Sequence, residues 1–246
     1  MARASSKRKR KKAKGPGAIE RTAGLIRRVI RWSLLGLAAL AVVMVAWIGL
    51  YRFVNPPTGY YMWSESRRLG GVRQEWVSLD QMASAMPLSV VAAEDANFCR
   101  HWGFDMVAIR AALADGGARG ASTLTQQVVK NTFLWHGRNL LRKGLEALIT
   151  PLVEILWPKE RILEVYLNMA EFDEGIFGVQ AAAQRYFRVD AAALSSRQAA
   201  LLATVLPDPQ GRDAHRPSGF MTQRADAIQD GAATIARDDR SACFGG

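Results

Sequence analysis

Between Trp32 and Tyr51 the chain reads WSLLGLAALAVVMVAWIGLY, an apolar run without a charged residue. About 20 such residues are what a helix needs to cross the hydrocarbon core of a bilayer. Trp32, Trp47 and Tyr51 lie near its ends, where amphipathic rings prefer the interface. A surface helix of a soluble domain would show a polar stripe, and a cleavable signal peptide has a shorter apolar region closed by small residues. The pattern predicts an uncleaved membrane-spanning helix over residues 32–51.

Beyond it the pattern changes twice. Residues 52–77 carry Asn55-Pro56-Pro57, Gly59 and Gly70-Gly71, turn punctuation that suits a linker. From Ser78 onward apolar positions recur at three and four residues, the period of amphipathic helices. Ser78 with Gln81 reads as a capping box opening a helix that Pro87 stops, followed by a helix over about 88–98. Residues 105–114 form a short apolar segment, and Thr123 with Gln126 caps the next. Leu141, Leu145, Leu148, Leu152, Ile155 and Leu156 mark a long helix over about 138–157, with Pro151 expected to bend it. Pro158 suits the first position of the following helix, and residues 179–187 and 195–206 complete the series. Strand signals are nearly absent. A mainly α-helical domain over 78–235 is expected, with a loosely held tail at 236–246.

Charge sharpens this picture. Residues 1–31 hold 12 Lys and Arg against one acid, Glu20, which accounts for the whole formal charge of +11; the other 21 basic and 21 acidic residues cancel. A nucleic-acid-binding domain needs its positive charge on the folded surface that meets phosphate, so that class is excluded. The basic tail 1–31 belongs on the cytoplasmic side of the anchor, with everything after Arg52 outside. Two cysteines, Cys99 and Cys243, are too few for a disulfide framework. A pair, or a buried thiol and a second thiol on a loose tail, fit equally.

The chemistry-bearing residues are spread over several helices. Glu94-Asp95 closes the apolar run VVAA, and a carboxylate half-sunk in an apolar wall is one way to make a base. Arg138, Arg142 and Glu146 share one helix face, with Lys143 beside them; alone they describe a solvated salt bridge. Ser122 and Thr123 are explained as caps, whereas Gln126, Gln127 and Lys130 supply convergent donors of the kind a sugar or anion pocket needs. Paired carboxylates, here Glu94 and Glu146, recur in glycosidic chemistry. Cations stabilise a departing phosphate. A lone His101 beside Trp102 and Phe104 reads as a structural group, and Tyr166 and Asn168 as packing and hydrogen-bonding residues.

Five segments in order, EDANFCRHWGFD (94–105), RGASTLTQQVVKN (119–131), RKGLEA (142–147), KERILEVYLN (159–168) and GIFGVQAAAQRYF (175–187), resemble the five motifs of the peptidoglycan glycosyltransferases of family 51. The single anchor and the phrase KNTFLWHGRN resemble the monofunctional biosynthetic members from Gram-negative bacteria. The resemblance spans about 79–209 and implies a lysozyme-like, two-lobed helical glycosyltransferase domain outside the inner membrane. It makes Glu94 the general base on the acceptor hydroxyl of lipid II and Glu146 the second catalytic carboxylate. Lys130, Arg138 and Lys143 fall on donor-phosphate positions, Ser122, Gln126 and Gln127 on the polar pocket, and Asp95 on the first motif's partner acid. It also implies a divalent cation, Mg or Mn, on the donor pyrophosphate, although the sequence has no ligand cluster of its own, and no organic cofactor. Lipid II, the growing lipid-linked glycan, the membrane and other cell-wall synthesis proteins are the implied partners. Met82, Met86, Leu88, Phe133, Leu134 and Trp135 are candidates for membrane contact, with core packing the alternative for each.

Two departures stand out. Phe172-Asp173-Glu174-Gly175 has an acid where the family form has glycine, and the segment 105–120 is short. Two other classes compete: a lytic, peptidoglycan-cleaving enzyme on a similar fold, and a non-catalytic anchored scaffold. A bifunctional penicillin-binding protein is not expected, since the lone S-x-x-K match, Ser6 to Lys9, lies in the basic tail and Lys-Thr-Gly is absent.

Overall fold

A computed structural model of the chain describes residues 18–116, 120, 122–137 and 139–245. It divides into two compact units, 1–47 and 48–246. The described residues of the first unit, 18–47, all lie in helix α1, Ala18–Tyr51. Its stretch Gly24–Tyr51 has a mean hydropathy of 2.4 and is long and apolar enough to cross a membrane. Leu34, Leu37, Leu40, Val42 and Val43 are all exposed, an arrangement that costs free energy in water and none in hydrocarbon.

The second unit is mainly helical. Its helices are α2 (Tyr60–Leu69), α3 (Ala85–Glu94), α4 (Met106–Ala114), α5 (Leu124–Phe133), α6 (Leu140–Leu156), α7 (Lys159–Met169), α8 (Val179–Phe187), α9 (Ser196–Val205) and α10 (Gly219–Arg237). Strands β1 (Arg73–Gln74), β2 (Glu171–Asp173) and β3 (Ile176–Phe177) form a small sheet ordered β1-β3-β2. β1 runs parallel to β3 in the register Arg73 to Ile176, and β2 is antiparallel to β3 with an irregularity between Glu171 and Asp173.

Several boundaries differ from the sequence expectation for definite reasons. Ser78 bonds Asp80 instead of closing a capping box, so 79–81 makes one 3-10 turn and no helix spans 78–86. Pro87 falls in the first turn of α3, where a missing N–H is harmless, and does not stop a helix. Pro158 is the N-cap of α7, one residue outside its expected place. The punctuated stretch 52–77 contains α2 and β1. Gly59 caps α2 where a Cβ would lie 1.9 Å from the Asn131 carbonyl oxygen, so α2 seats against α5.

Two groups of helices carry the core: α3 packs on α9 and α10, and α5 packs on α6 and α7. Buried Glu154 of α6 joins the second group, accepting from Thr125 Oγ1 at 2.5 Å and Lys159 Nζ at 2.8 Å. The Arg161 guanidinium of α7 donates to the carbonyls of Tyr51 and Val54, and Arg52 donates to that of Leu156, satisfying acceptors that helix ends leave open. Asn168 bonds both the N–H and the C=O of Val77, the structural role expected for it.

The C-terminal segment is not loose. Cys243 forms a disulfide with Cys99, with Cα atoms 5.6 Å apart, and buried Phe244 packs beside Phe98. The question of membrane-facing residues also resolves against several candidates. Met82, Met86, Phe133 and Leu134 are buried in the core, whereas Trp102, Val107, Leu113, Leu140, Leu148 and Ile155 are exposed.

Candidate active site

Helix α3 is apolar around most of its circumference, with Met86, Val90 and Val91 buried, and it delivers Glu94 as its last residue. The next residue, Asp95, is buried and turns inward: its carboxylate accepts from the Leu124 N–H at 3.0 Å and pairs with His101 Nε2 at 2.8 Å. A carboxylate on the first N–H groups of a helix satisfies open donors and meets the positive end of the dipole. Asp95 therefore locks the start of α5 to the end of α3. It is a structural tie, and His101 is its partner.

That tie sets the geometry of α5. The capping box of Thr123 and Gln126 is present, with Gln126 Oε1 accepting from the Thr123 N–H at 3.1 Å. The Gln126 oxygen is thus engaged in the helix start. Gln127 Nε2 donates to Glu94 Oε2 at 2.8 Å, and its Oε1 accepts from the Tyr166 hydroxyl of α7 at 3.2 Å. Lys130, three residues on, shares the face of Gln127.

Helix α6 opens at Asn139, whose side chain accepts from the Leu141 N–H at 2.8 Å. It supplies Glu146, whose side chain is 3% exposed and held by Arg142 Nη1 at 2.6 Å and by Lys143. The solvated salt bridge expected from spacing is in fact a buried one. Lys143 Nζ also lies 3.3 Å from Ser122 Oγ, bringing the exposed Ser122 to the same edge. Arg138 lies outside the described residues.

Electrostatics join the two carboxylates through Lys130. Burial pushes the Lys130 ammonium pKa down, while Glu146 and Glu94 both push it up. Burial raises the Glu94 carboxyl above the usual carboxylate range, opposed by the Gln127 hydrogen bond and by Arg224 and Lys130. Glu94 is half-buried and lines, with Asp95, Asn97, Asp105 and Ser122, a cavity of about 210 Å³. Gln127, Lys130 and Tyr166 line a neighbouring cavity of about 230 Å³ that also takes in Tyr61, His136 and Glu171. The latter three form a cluster. Tyr61 donates to Glu171 at 2.6 Å and stacks on His136, whose pKa burial and the nearby cations push down to about 4.

The Arg142–Glu146 pair expected from spacing is present, but its burial, which places Arg142 in the site, carried no signal in the sequence. Arg224 of α10, whose Nη2 sits 3.3 Å from the Ala93 carbonyl, was not foreseen and carries no local signal. The FDEG turn keeps its glycine geometry: Gly175 has φ +71°, and the flanking acids Asp173 and Glu174 pair with Arg185 and Arg68. No cluster of three or more metal-ligating side chains occurs among the described residues. The cleft acids are already engaged, Glu146 by Arg142 and Lys143 and Glu94 by Gln127. The described residues thus offer no free ligand set for the implied divalent cation.

A helical domain with a half-buried carboxylate, a second carboxylate locked by cations, and a lysine in the field of both suits the enzymes that move sugars between carriers. Residues 64–233 match the transglycosylase family, and the chain belongs to it. Over 239 residues it is 55% identical to a biosynthetic peptidoglycan transglycosylase of Jannaschia sp. (strain CCS1), covering 97% of this chain and 99% of that one. Proteins of the same name from Xanthomonas axonopodis pv. citri and Pseudomonas syringae pv. syringae are each 47% identical, covering 82% and 83% of this chain and 87% and 89% of theirs.

Proposed function

We propose that the chain is a membrane-anchored peptidoglycan glycosyltransferase that polymerises lipid II into β-1,4-linked glycan and releases undecaprenyl pyrophosphate. The observation that carries this reading is the half-buried Glu94 carboxylate, fixed by Gln127 and electrostatically coupled through Lys130 to Glu146. A sugar hydroxyl is a weak nucleophile until a positioned base removes its proton as the new bond forms. Glu94 takes that proton from the acceptor hydroxyl, which attacks the anomeric carbon of the lipid-linked donor with inversion. Lys130 and Lys143 meet the charge growing on the departing pyrophosphate, where preorganised cations contribute most. Glu146 holds Arg142 and Lys143 in place at the leaving side.

Any Mg or Mn ion belongs in this scheme to the pyrophosphate of the substrate. The basic tail lies in the cytoplasm and the enzyme domain on the outer face of the inner membrane, where lipid II, nascent glycan and other wall-building proteins are its partners.

Product analysis tests the reading. Full-length protein in detergent, given labelled lipid II, is expected to make glycan polymer that lysozyme digests, and to release nothing soluble from purified sacculi. Release of soluble fragments from sacculi without polymer from lipid II would establish the lytic class instead.

A further inference from the structure

Tyr166 has no part in the chemistry proposed above, yet its ring is 1% exposed and its hydroxyl is spent on a single partner, Gln127 Oε1, at 3.2 Å. Gln127 in turn spends its Nε2 on Glu94. An amide has a donor end and an acceptor end, and only the donor end suits an ionised carboxylate. Reversed, Gln127 would point an oxygen at Glu94 and leave its amino group against the Tyr166 hydroxyl. We propose that Tyr166 is a positioning residue: by donating to Gln127 Oε1 it holds the amide in the one orientation that donates to Glu94. The inference rests on Glu94 being the base and adds the residue that sets its hydrogen bond.

The other groups facing Glu94 cannot do this. Arg224 from α10 and Lys130 from α5 act on it by charge alone, and Asp95, its neighbour at the end of α3, is turned to the Leu124 N–H and His101. Among the described residues Gln127 is the group that gives Glu94 a directed hydrogen bond, and Tyr166 gives that group its direction. Burial raises the Glu94 carboxyl and the Gln127 donation lowers it. Losing the donation therefore raises it further. A base must be ionised to work, so activity is present above its pKa and falls away below it. The acid limb of kcat/KM reports that group in the free enzyme.

The experiment is the pH profile of kcat/KM for lipid II polymerisation with wild type, Tyr166→Phe, Gln127→Met and the double variant, with melting curves as a check of folding. Tyr166→Phe and Gln127→Met are each expected to move the acid limb up by about one pH unit, the scale of one hydrogen bond to a charged group. The double variant should move it no further. A limb that stays at the wild-type pH in Tyr166→Phe, or a double variant whose shift is the sum of the singles, overturns the proposal. If Tyr166→Phe does not fold, 3-fluorotyrosine at 166 keeps the shape and strengthens the donor. A downward move of the limb then supports the proposal, and an unmoved limb overturns it. Wild-type polymerisation by Glu94→Gln would remove the base itself, an outcome distinct from a failure of Tyr166 alone.

Discussion

At the scale of single residues, the site holds one carboxylate in a state that burial disfavours. The folded protein raises the Glu94 pKa above its unfolded value. Such a group adds stability below the unfolded pKa and loses that contribution as pH rises through the folded pKa. At neutral pH the ionised Glu94 is thus a cost, and functional sites commonly trade stability for activity. Glu94→Gln keeps an acceptor for Gln127 and removes the charge. Its melting temperature at pH 7 is expected to exceed that of wild type, with the gap closing as pH falls towards about 4. Equal melting temperatures across that range would show that Glu94 carries no buried charge. Glu94, Gln127, Lys130 and Glu146 stood out in the sequence because carboxylates, an amide and a cation on apolar helices suit a polar cleft, and the structure joins Gln127 to Glu94 and sets Lys130 in the field of both acids. Gln126 was read both as a cap and as a pocket residue, and the structure shows its oxygen serving the capping box.

At the scale of elements, the joint between α3 and α5 positions the reaction, and the C-terminal segment supports it. Asp95 ties the two helices directly. The disulfide from Cys99 to Cys243 closes a separation of 144 residues and secures the loop that follows Glu94. In the chain-entropy description a loop of that size contributes about 4–5 kcal/mol through the unfolded state. Cys243→Ser is expected to lower the melting temperature by several degrees, and reductant should destabilise the wild type but not the variant. A variant that melts with the wild type would indicate that the bridge is not formed in solution. Helix periodicity made α4 through α9 readable to within a few residues. It did not reveal the pairing, since two cysteines so far apart in sequence carry no distance information, nor the small sheet, whose two- and three-residue strands are too short to show alternation.

At the scale of the whole molecule, one N-terminal helix long and apolar enough to cross a membrane, followed by a charge-balanced domain, fits a membrane-anchored enzyme. Drawing the prenyl tail of the proposed substrate out of a bilayer would cost about 0.8 kcal/mol per CH₂, which favours a site close to the membrane surface. Trp102, Val107 and Leu113 around α4 and Leu140, Leu148 and Ile155 on α6 are exposed apolar side chains of the domain. Apolar stripes in sequence could not separate these from Met82, Met86, Phe133 and Leu134, because a core and a bilayer select the same side chains. Everything rests on position 94. The direct measurement is the rate of lipid II polymerisation by full-length Glu94→Gln beside wild type, in matched detergent, at pH 7. Loss of a positioned general base predicts a fall of about 100-fold or more, with the variant still folded; polymer formed at the wild-type rate would contradict the account.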